Sequence, residues 1–283
     1  MVQFMISDLK NEFKSRYSKF RNTQFYQTIK KIKMLRILRQ FIGWRYGIWL
    51  LSRFRLHGDR IHLALIKKVI KDYKITSIVE TGTFLGYTTE LFAKEFPHLQ
   101  IYTAEINLDF YKKAKKSLSK YKNVHVYNAT SPKFLESLIK ERLLGERPFF
   151  YLDAHWLDDW PLEKELQIIS RNIPSAIISI DDFKVEGDSR FIYDSYKDKE
   201  CSLNLVNPNL SKNDYNLLFP DYDPKKIFGN KLLCPQLIGY TIIFQNMKAE
   251  FQILKKTKMV AENFIDKSSL IGIKTKSRAK KQI

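Results

Sequence analysis

The stretch Thr76–Gly86, with the sequence T-S-I-V-E-T-G-T-F-L-G, constrains the fold of this chain more than any other. It begins as an apolar run rich in β-branched residues, which favours a buried strand. It then passes through Gly82 and Gly86 into a helical pattern at Tyr87–Phe96. A strand, a glycine turn and a helix in this order direct the N–H groups at the helix start towards a ligand. Glycine at both positions would also let the backbone approach that ligand closely.

An acidic residue follows the next apolar run and adds to this signal. The run Ile101–Ala104 ends at Glu105, about 20 residues after the glycines, where a carboxylate suits the paired hydroxyls of a ribose. The glycine spacing is not the dinucleotide G-x-G-x-x-G, and glycines in such turns also serve packing alone. The turn by itself leaves a cofactor role and a packing role open. Glu105 favours a nucleoside cofactor.

Strand and helix patterns alternate regularly across the middle of the chain. This alternation predicts a parallel sheet covered by helices on both faces, a Rossmann-like doubly wound α/β fold. A helix at Arg60–Tyr73 precedes the first strand, and two later strands without an intervening helix predict an antiparallel edge hairpin. The predicted strands are Ser77–Glu80, Ile101–Glu105, Val124–Asn128, Phe149–Asp153, Ala176–Asp181, Asp214–Phe219 and Gly239–Gln245, and the predicted helices between the first five are Tyr87–Phe96, Phe110–Tyr121, Pro132–Leu144 and Leu162–Arg171.

Four of the first five predicted strands end in a carboxylate, and ligands of such sheets bind beyond the carboxyl ends of the strands. Asp153, Asp181 and Asp182 follow neighbouring strands, so their side chains are expected to converge. Converging carboxylates repel one another, and a magnesium-like ion with oxygen ligands would relieve that repulsion. The alternative is that one of them caps a helix or holds a loop.

These motifs, taken in order, resemble those of the class I S-adenosylmethionine-dependent methyltransferases, in particular the metal-dependent catechol O-methyltransferase type. The resemblance covers roughly residues 60–190, and five motifs in the right order are more specific than any one. The matching segments are Glu80-Thr-Gly82-Thr-Phe84-Leu-Gly86-Tyr87-Thr88, Glu105-Ile106-Asn107, Asn128-Ala129-Thr130, Leu152-Asp153-Ala154-His155-Trp156 and Asp181-Asp182.

The resemblance implies a role for each matched position. S-adenosylmethionine would be the cofactor, and Asp153, Asp181 and Asp182 would hold a magnesium ion that binds and acidifies an acceptor hydroxyl. Glu80 belongs to the cofactor motif as its first residue. The remaining cofactor contacts would be Gly82, Gly86 and Thr88 for the methionine part, Glu105 for the ribose, and Thr130 and Trp156 for the adenine.

The sequence departs from the catechol enzymes after the fourth strand. Those enzymes place a lysine base just after the D-H-W motif, whereas Leu157 follows Trp156 here, and Ala154 is inserted before His155. Sugar O-methyltransferases are similar in pairing an acidic metal site with a histidine base. His155 is therefore a candidate base beside Asp153, with a contact to the adenine edge as the alternative. We predict a sugar or glycan hydroxyl as the acceptor.

The other histidines receive no role from the sequence, because they lie outside the predicted strand ends. These are His57, His62, His98 and His125.

The net charge of +19 on 283 residues lies mainly in two flanks, residues 1–60 and 246–283. Residues 61–245 are almost neutral, so the sequence predicts a basic helical arm at 1–59, a catalytic domain at 60–246 and a disordered basic tail at 247–283. The two cysteines, Cys201 and Cys234, cannot form a disulfide framework, which favours a reducing compartment. No apolar run has the length of a membrane span, so a cytoplasmic location is expected.

In residues 29–56, lysine and arginine side chains alternate with large aromatic side chains. This pattern suits a peripheral membrane contact, a helical lid or dimer arm, or, with less support, a nucleic acid. A homo-oligomer is compatible with the dimer-arm reading. Two other functions stay open: an RNA-modifying methyltransferase that uses the basic flanks, and a non-catalytic relative that recruits a membrane or partner. The near-neutral domain argues against the first, and the retained acidic residues argue against the second.

Overall fold

The computed structural model describes residues 55–154, 160–196, 199–210, 213–223, 237–247 and 272–278. Several sequence predictions fall outside these ranges. They are the arm up to residue 54, His155, Trp156, and the predicted tail apart from residues 247 and 272–278.

The elements of the first half alternate as predicted, with differences confined to their ends. They are α1 (Arg60–Asp72), β1 (Ser77–Thr81), α2 (Tyr87–Glu95), β2 (Gln100–Ala104), α3 (Leu108–Leu118), β3 (Val124–Tyr127), α4 (Ser131–Lys140), β4 (Pro148–Leu152), α5 (Leu162–Asn172) and β5 (Ala176–Ile180). The later elements are β6 (Phe191–Ile192), β7 (Ser195–Tyr196), β8 (Lys199–Glu200), α6 (Leu203–Leu210), β9 (Tyr215–Asp221), β10 (Leu237–Ile238), β11 (Thr241–Gln245) and β12 (Gly272–Arg278).

One large sheet has the strand order β12-β9-β11-β5-β4-β1-β2-β3. Strands β1 to β5 are parallel, as predicted. Strand β11 runs antiparallel between β5 and β9, which confirms the predicted antiparallel pairing of the two later strands. The fold is therefore a doubly wound, mostly parallel α/β sheet of Rossmann-like architecture, with an antiparallel extension at one edge.

The helices cover both faces because the chain reverses its direction of travel across the sheet. It moves outward from β1 to β3 and then returns to β4 on the other side of β1. Since parallel crossovers are right-handed, α2 and α3 lie on one face and α4 and α5 on the other. Helix α5 packs between α4 and α6, and every residue of β1, β4 and β5 is buried. The reversal leaves a crevice between β1 and β4 at the carboxyl ends, where ligands of such sheets bind.

The domain begins before the predicted boundary at residue 60. Leu56 is only 2% exposed and belongs to the hydrophobic core. Asp59 caps α1, because its Oδ1 accepts hydrogen bonds from the backbone N–H groups of Ile61 (2.9 Å) and His62 (3.0 Å). Its other oxygen accepts from the Tyr222 hydroxyl. The cap and the buried leucine therefore hold residues 56–59 against the described domain.

Several later elements were not predicted from the sequence. They include the two-residue strands β6, β7, β8 and β10 and helix α6, which contains Pro208. Strand β12 lies within the predicted disordered tail, yet pairs antiparallel with β9 along its whole length. The basic composition of that segment hid a strand that depends on a neighbour for its hydrogen bonds. No helix in the described ranges has the length and apolar character needed to span a membrane.

Candidate active site

The glycine turn after β1 packs tightly against the end of β4. Gly82 has φ +88°, and a Cβ at this position would lie 2.3 Å from the carbonyl oxygen of Asp153. Gly86 has φ +80°, and its Cβ would lie 2.8 Å from Cδ1 of Leu118. Protein atoms thus fill both directions in which a side chain would project. The glycines are therefore required for packing and backbone conformation, the role that the sequence left open beside a ligand contact, and their predicted contact with the cofactor stays a prediction.

Glu105 holds this turn from the end of β2. Its Oε2 accepts a hydrogen bond from the Phe84 N–H (2.7 Å), and its Oε1 accepts one from the Asn107 N–H (2.8 Å). Phe84 adopts the left-handed conformation at φ +51°, which is unfavourable for a non-glycine residue. Glu105 is 7% exposed and, through these two hydrogen bonds, fixes the turn from the end of β2.

An exposed apolar side chain lies next to this carboxylate. Ile106 is 62% exposed, although large apolar side chains are normally covered. Thr130, at the start of α4, is also exposed, and Thr88 on α2 is half-buried. The sequence showed Ile106 only as part of the Glu105-Ile106-Asn107 motif, because the exposure of one side chain cannot be read from the sequence. The structure shows an apolar surface immediately beside the predicted ribose-binding carboxylate.

Glu80 faces inward rather than towards the crevice. It is 2% exposed, and its Oε2 accepts hydrogen bonds from the hydroxyls of Thr103 (2.6 Å) and Thr89. Burial raises the pKa of Glu80 to about 7, although both hydroxyls act to lower it. These contacts tie β1 to β2 and α2. The geometry therefore gives Glu80 a supporting role beneath the turn, and its predicted contact with the cofactor stays a prediction.

The predicted carboxylates after β4 and β5 do lie close together. The Asp153 N–H donates to the Thr81 carbonyl and the Asp181 N–H donates to the Leu152 carbonyl, both at 3.1 Å, so the strand ends are adjacent. Burial, followed by the charges of Asp181 and Asp182, raises the pKa of Asp153 well above its usual range. Burial also raises the pKa of Asp182, with a further contribution from Asp194, a residue that the sequence analysis did not single out.

The described residues do not show the predicted magnesium site, which stays a prediction. Within the described ranges, no three His, Cys, Asp or Glu side chains are placed so that they could hold a metal ion. The Oδ2 of Asp181 instead accepts hydrogen bonds from the Tyr151 hydroxyl (2.5 Å) and from Nε2 of His57 (3.1 Å). Asp153, Asp181 and Asp182 are close enough for their charges to raise the pKa of Asp153.

His57 is a site residue that sequence reasoning missed. The sequence analysis placed it away from the strand ends, whereas the turn before α1 brings it onto Asp181, 124 positions later in the chain. Leu56 and His57 both have positive φ, 48° and 52°. Consecutive left-handed residues without glycine are strained and persist where the surrounding contacts hold them. Here the buried Leu56 and the His57–Asp181 ion pair supply those contacts.

The pKa values of His57 and Asp181 indicate that the two side chains form an ion pair. Burial acts to lower the pKa of His57, but the charges of Asp181, Asp182 and Asp194 outweigh it and raise the pKa to about 9. Burial acts to raise the pKa of Asp181, but His57 holds it below its usual range. The imidazole is therefore protonated at neutral pH and balances part of the negative charge.

Replacing His57 with alanine should lower stability more in acid than in base. The folded pKa of about 9 exceeds the ordinary value of 6.5, so the contribution is complete below the ordinary pKa and is lost as pH rises through the folded one. Because the side chain is 38% exposed, solvent screening reduces the expected loss to about 1 kcal/mol. Thermal unfolding of both proteins at about pH 6 and about pH 10 measures this difference. An equal loss of stability at both pH values would contradict the ion pair.

A second buried carboxyl lies beneath the turn. Glu165 on α5 is fully buried, and neither of its oxygens makes a hydrogen bond. The hydroxyls of Thr81 and Ser131 are also buried without a partner. Burial raises the pKa of Glu165 to about 7, and the nearby Ser131 and Thr81 hydroxyls act to lower it. The fold therefore raises the pKa of the Glu165 carboxyl to near neutral pH.

Glu165→Gln should stabilise the protein at alkaline pH. In the wild type the folded state binds the proton more tightly than the unfolded chain, so stability falls as pH rises from about 4.5 to about 7. The glutamine cannot ionise, so its unfolding free energy should exceed that of the wild type by about 3 kcal/mol at about pH 8. The two proteins should be similar near about pH 4.5. Denaturant unfolding at both values tests this, and a glutamine variant that is less stable at the higher pH would contradict it.

Comparisons with known proteins give similarity only at the level of structure. No protein-family model matches the sequence, and no curated protein matches it. A solved structure from Staphylococcus aureus, described as a caffeoyl-CoA O-methyltransferase, aligns with 75% of this chain and 98% of its own at 18% identity, with a TM-score of 0.45. An O-methyltransferase from Klebsiella pneumoniae aligns at 20% identity over 65% and 80% of the two chains, with a TM-score of 0.44. A SAM-dependent methyltransferase from Aquifex aeolicus aligns at 16% identity over 66% and 93%, with a TM-score of 0.38. Similarity of this size does not transfer an activity to this chain.

Proposed function

We propose that this chain is an S-adenosylmethionine-dependent methyltransferase that acts on a hydroxyl group, most specifically of a sugar or glycan precursor. The observation that carries the proposal is Glu105. Its carboxylate is held by two backbone N–H groups at the mouth of the glycine turn, and it lies beside the exposed Ile106. An acceptor for ribose hydroxyls next to an apolar surface for a base fits an adenosyl group. The five ordered motifs support this reading.

Each predicted cofactor residue has a role in this proposal. Glu105 would accept hydrogen bonds from the ribose hydroxyls, and Ile106 would cover one face of the adenine, with Thr130 and Trp156 at its edge. The turn from Gly82 to Thr88 would hold the methionine part. The bound cofactor would supply a methyl group activated on a sulfonium. The protein would mainly align this methyl group with the acceptor oxygen, because the transfer is an in-line displacement.

The proton of the acceptor hydroxyl needs a base. His155 remains our proposed base, with Asp153 beside it, as the sequence analysis suggested. His57 suits that role less well, because its raised pKa of about 9 keeps most of the imidazole protonated at neutral pH. We therefore assign His57 to holding Asp181 and balancing its charge. No step of the proposed reaction passes through magnesium, because the described carboxylates do not form a ligand set.

Transfer of a labelled methyl group tests the proposal. The full chain is incubated with labelled S-adenosylmethionine and with three classes of acceptor: sugars and glycans, catechols, and RNA. Label on a hydroxyl acceptor, lost in His155→Ala and retained in His57→Gln, supports the proposal. Label on RNA alone would favour the rival RNA-modifying function, and no transfer to any acceptor would favour the non-catalytic one. Parallel reactions with a chelator and with added magnesium test the metal prediction.

A further inference from the structure

Helix α3 and the turn that follows it present a strongly basic surface on a domain that is otherwise almost neutral. We call this surface the lysine face. It contains no arginine, and all of its lysines are exposed. Asp109 is the one acidic residue in the segment 107–122. The lysine face consists of Lys112, Lys113, Lys115, Lys116, Lys120 and Lys122.

Much of this charge is not neutralised by neighbouring carboxylates. Lys120 pairs with Glu90 at 3.0 Å. Lys112, Lys116 and Lys122 make no ion pair with any residue in the described ranges. Two lysines of α1 behave differently, since Lys67 and Lys68 each bind a carboxylate, at 2.5 and 2.6 Å. The lysine face therefore keeps a net positive potential at the surface.

The exposure of α3 leaves most of its surface available to an external partner. Only Ala114 and Leu118 of α3 are buried, so most of the helix circumference faces outward. Leu108, at its first turn, is 51% exposed and adds an apolar side chain at one end. An exposed basic surface with an exposed apolar residue beside it is typical of contact with an anionic interface.

We propose that the lysine face is a docking surface for an anionic membrane. Nucleic acid fits it less well for two reasons. Lysine is a hydrated point charge without the planar fork that arginine uses on phosphates. In addition, the face offers no free aromatic ring on which bases could stack: Phe110 packs edge-on against Phe84 at 4.6 Å, and lysine ammonium groups lie over the rings of Tyr111 (5.2 Å) and Tyr121 (5.1 Å). This proposal does not depend on the proposed catalytic activity.

Vesicle binding by the full chain tests the lysine face. The variant Lys112→Glu/Lys116→Glu/Lys122→Glu is compared with Lys133→Glu/Lys140→Glu/Lys164→Glu, three exposed lysines of α4 and α5 on the opposite face. Both variants change the net charge by the same amount, and both keep the basic flanks. A difference between them in vesicle binding therefore reflects the position of the replaced lysines. Sedimentation uses phosphatidylcholine vesicles with and without about 30% phosphatidylglycerol.

The lysine-face variant should lose at least about 30-fold in partitioning to anionic vesicles, since each lysine near such a surface contributes about 1 kcal/mol. The control variant should lose less than about 3-fold, and neutral vesicles should bind neither protein strongly. Equal losses in both variants would overturn the proposal, as would unchanged vesicle binding or a selective loss of RNA binding. Lys→Gln at the same three positions provides a second variant if the charge reversal prevents folding, and it should lose binding in the same order.

Discussion

Glu105→Ala should weaken the affinity for S-adenosylhomocysteine by about 1,000-fold, or about 4 kcal/mol. In the proposed function this carboxylate accepts two ribose hydroxyls, and each hydrogen bond to a charged group contributes about 1.5–3 kcal/mol. The same change also removes the acceptor for the Phe84 and Asn107 N–H groups, so the turn at the cofactor mouth loses its fixed conformation. Equilibrium dialysis with labelled ligand measures the affinity.

Two further variants separate the ribose contact from a general effect of lost charge. Glu136→Ala removes an exposed carboxylate from α4 and should leave the affinity unchanged. Glu105→Gln keeps one acceptor oxygen and should fall between the wild type and the alanine variant. If folded Glu105→Ala protein bound the ligand within about 3-fold of the wild type, the ribose assignment would be wrong.

Gly82→Ala should destabilise the protein by at least about 4 kcal/mol or abolish folding. The positive φ alone costs about 1–2 kcal/mol for a residue with a Cβ. That atom would also lie 2.3 Å from the Asp153 carbonyl oxygen, a backbone atom that cannot move without shifting the end of β4. Thermal and denaturant unfolding measure the loss.

Gly187→Ala is the matched control for this clash. Gly187 also has a positive φ, +73°, but nothing lies within 4 Å of the added Cβ. It should therefore show only the conformational cost of about 1 kcal/mol. Similar losses in the two variants would contradict the tight packing of the glycine turn against β4.

The alternation of strands and helices could be predicted because each element carries its own pattern of apolar residues. Strand β1 shows this directly: its five residues are all buried, and β-branched and apolar side chains dominate them. The same local logic located Glu105 and Asp181, since both directly follow an apolar run. Strand β12 escaped prediction because its polar sequence becomes a strand only through pairing with β9.

The chemistry of the site was less predictable, because it depends on contacts between distant parts of the chain. His57 meets Asp181 across 124 positions, and no local pattern signals that contact. The predicted magnesium ligands illustrate the same limit. Their positions after neighbouring strands were correct, but the direction of each oxygen depends on partners such as Tyr151 and His57. The sequence located the glycine turn and left a packing role open, but only the structure shows that Gly82 packs against Asp153 and Gly86 against Leu118.

Calorimetric titration of the folded full chain with S-adenosylmethionine tests the central claim most directly. We expect one equivalent to bind with a dissociation constant of about 1–100 μM, and S-adenosylhomocysteine to compete for the same site. Absence of binding by both molecules at about 1 mM, from protein shown to be folded, would contradict the proposed methyltransferase function.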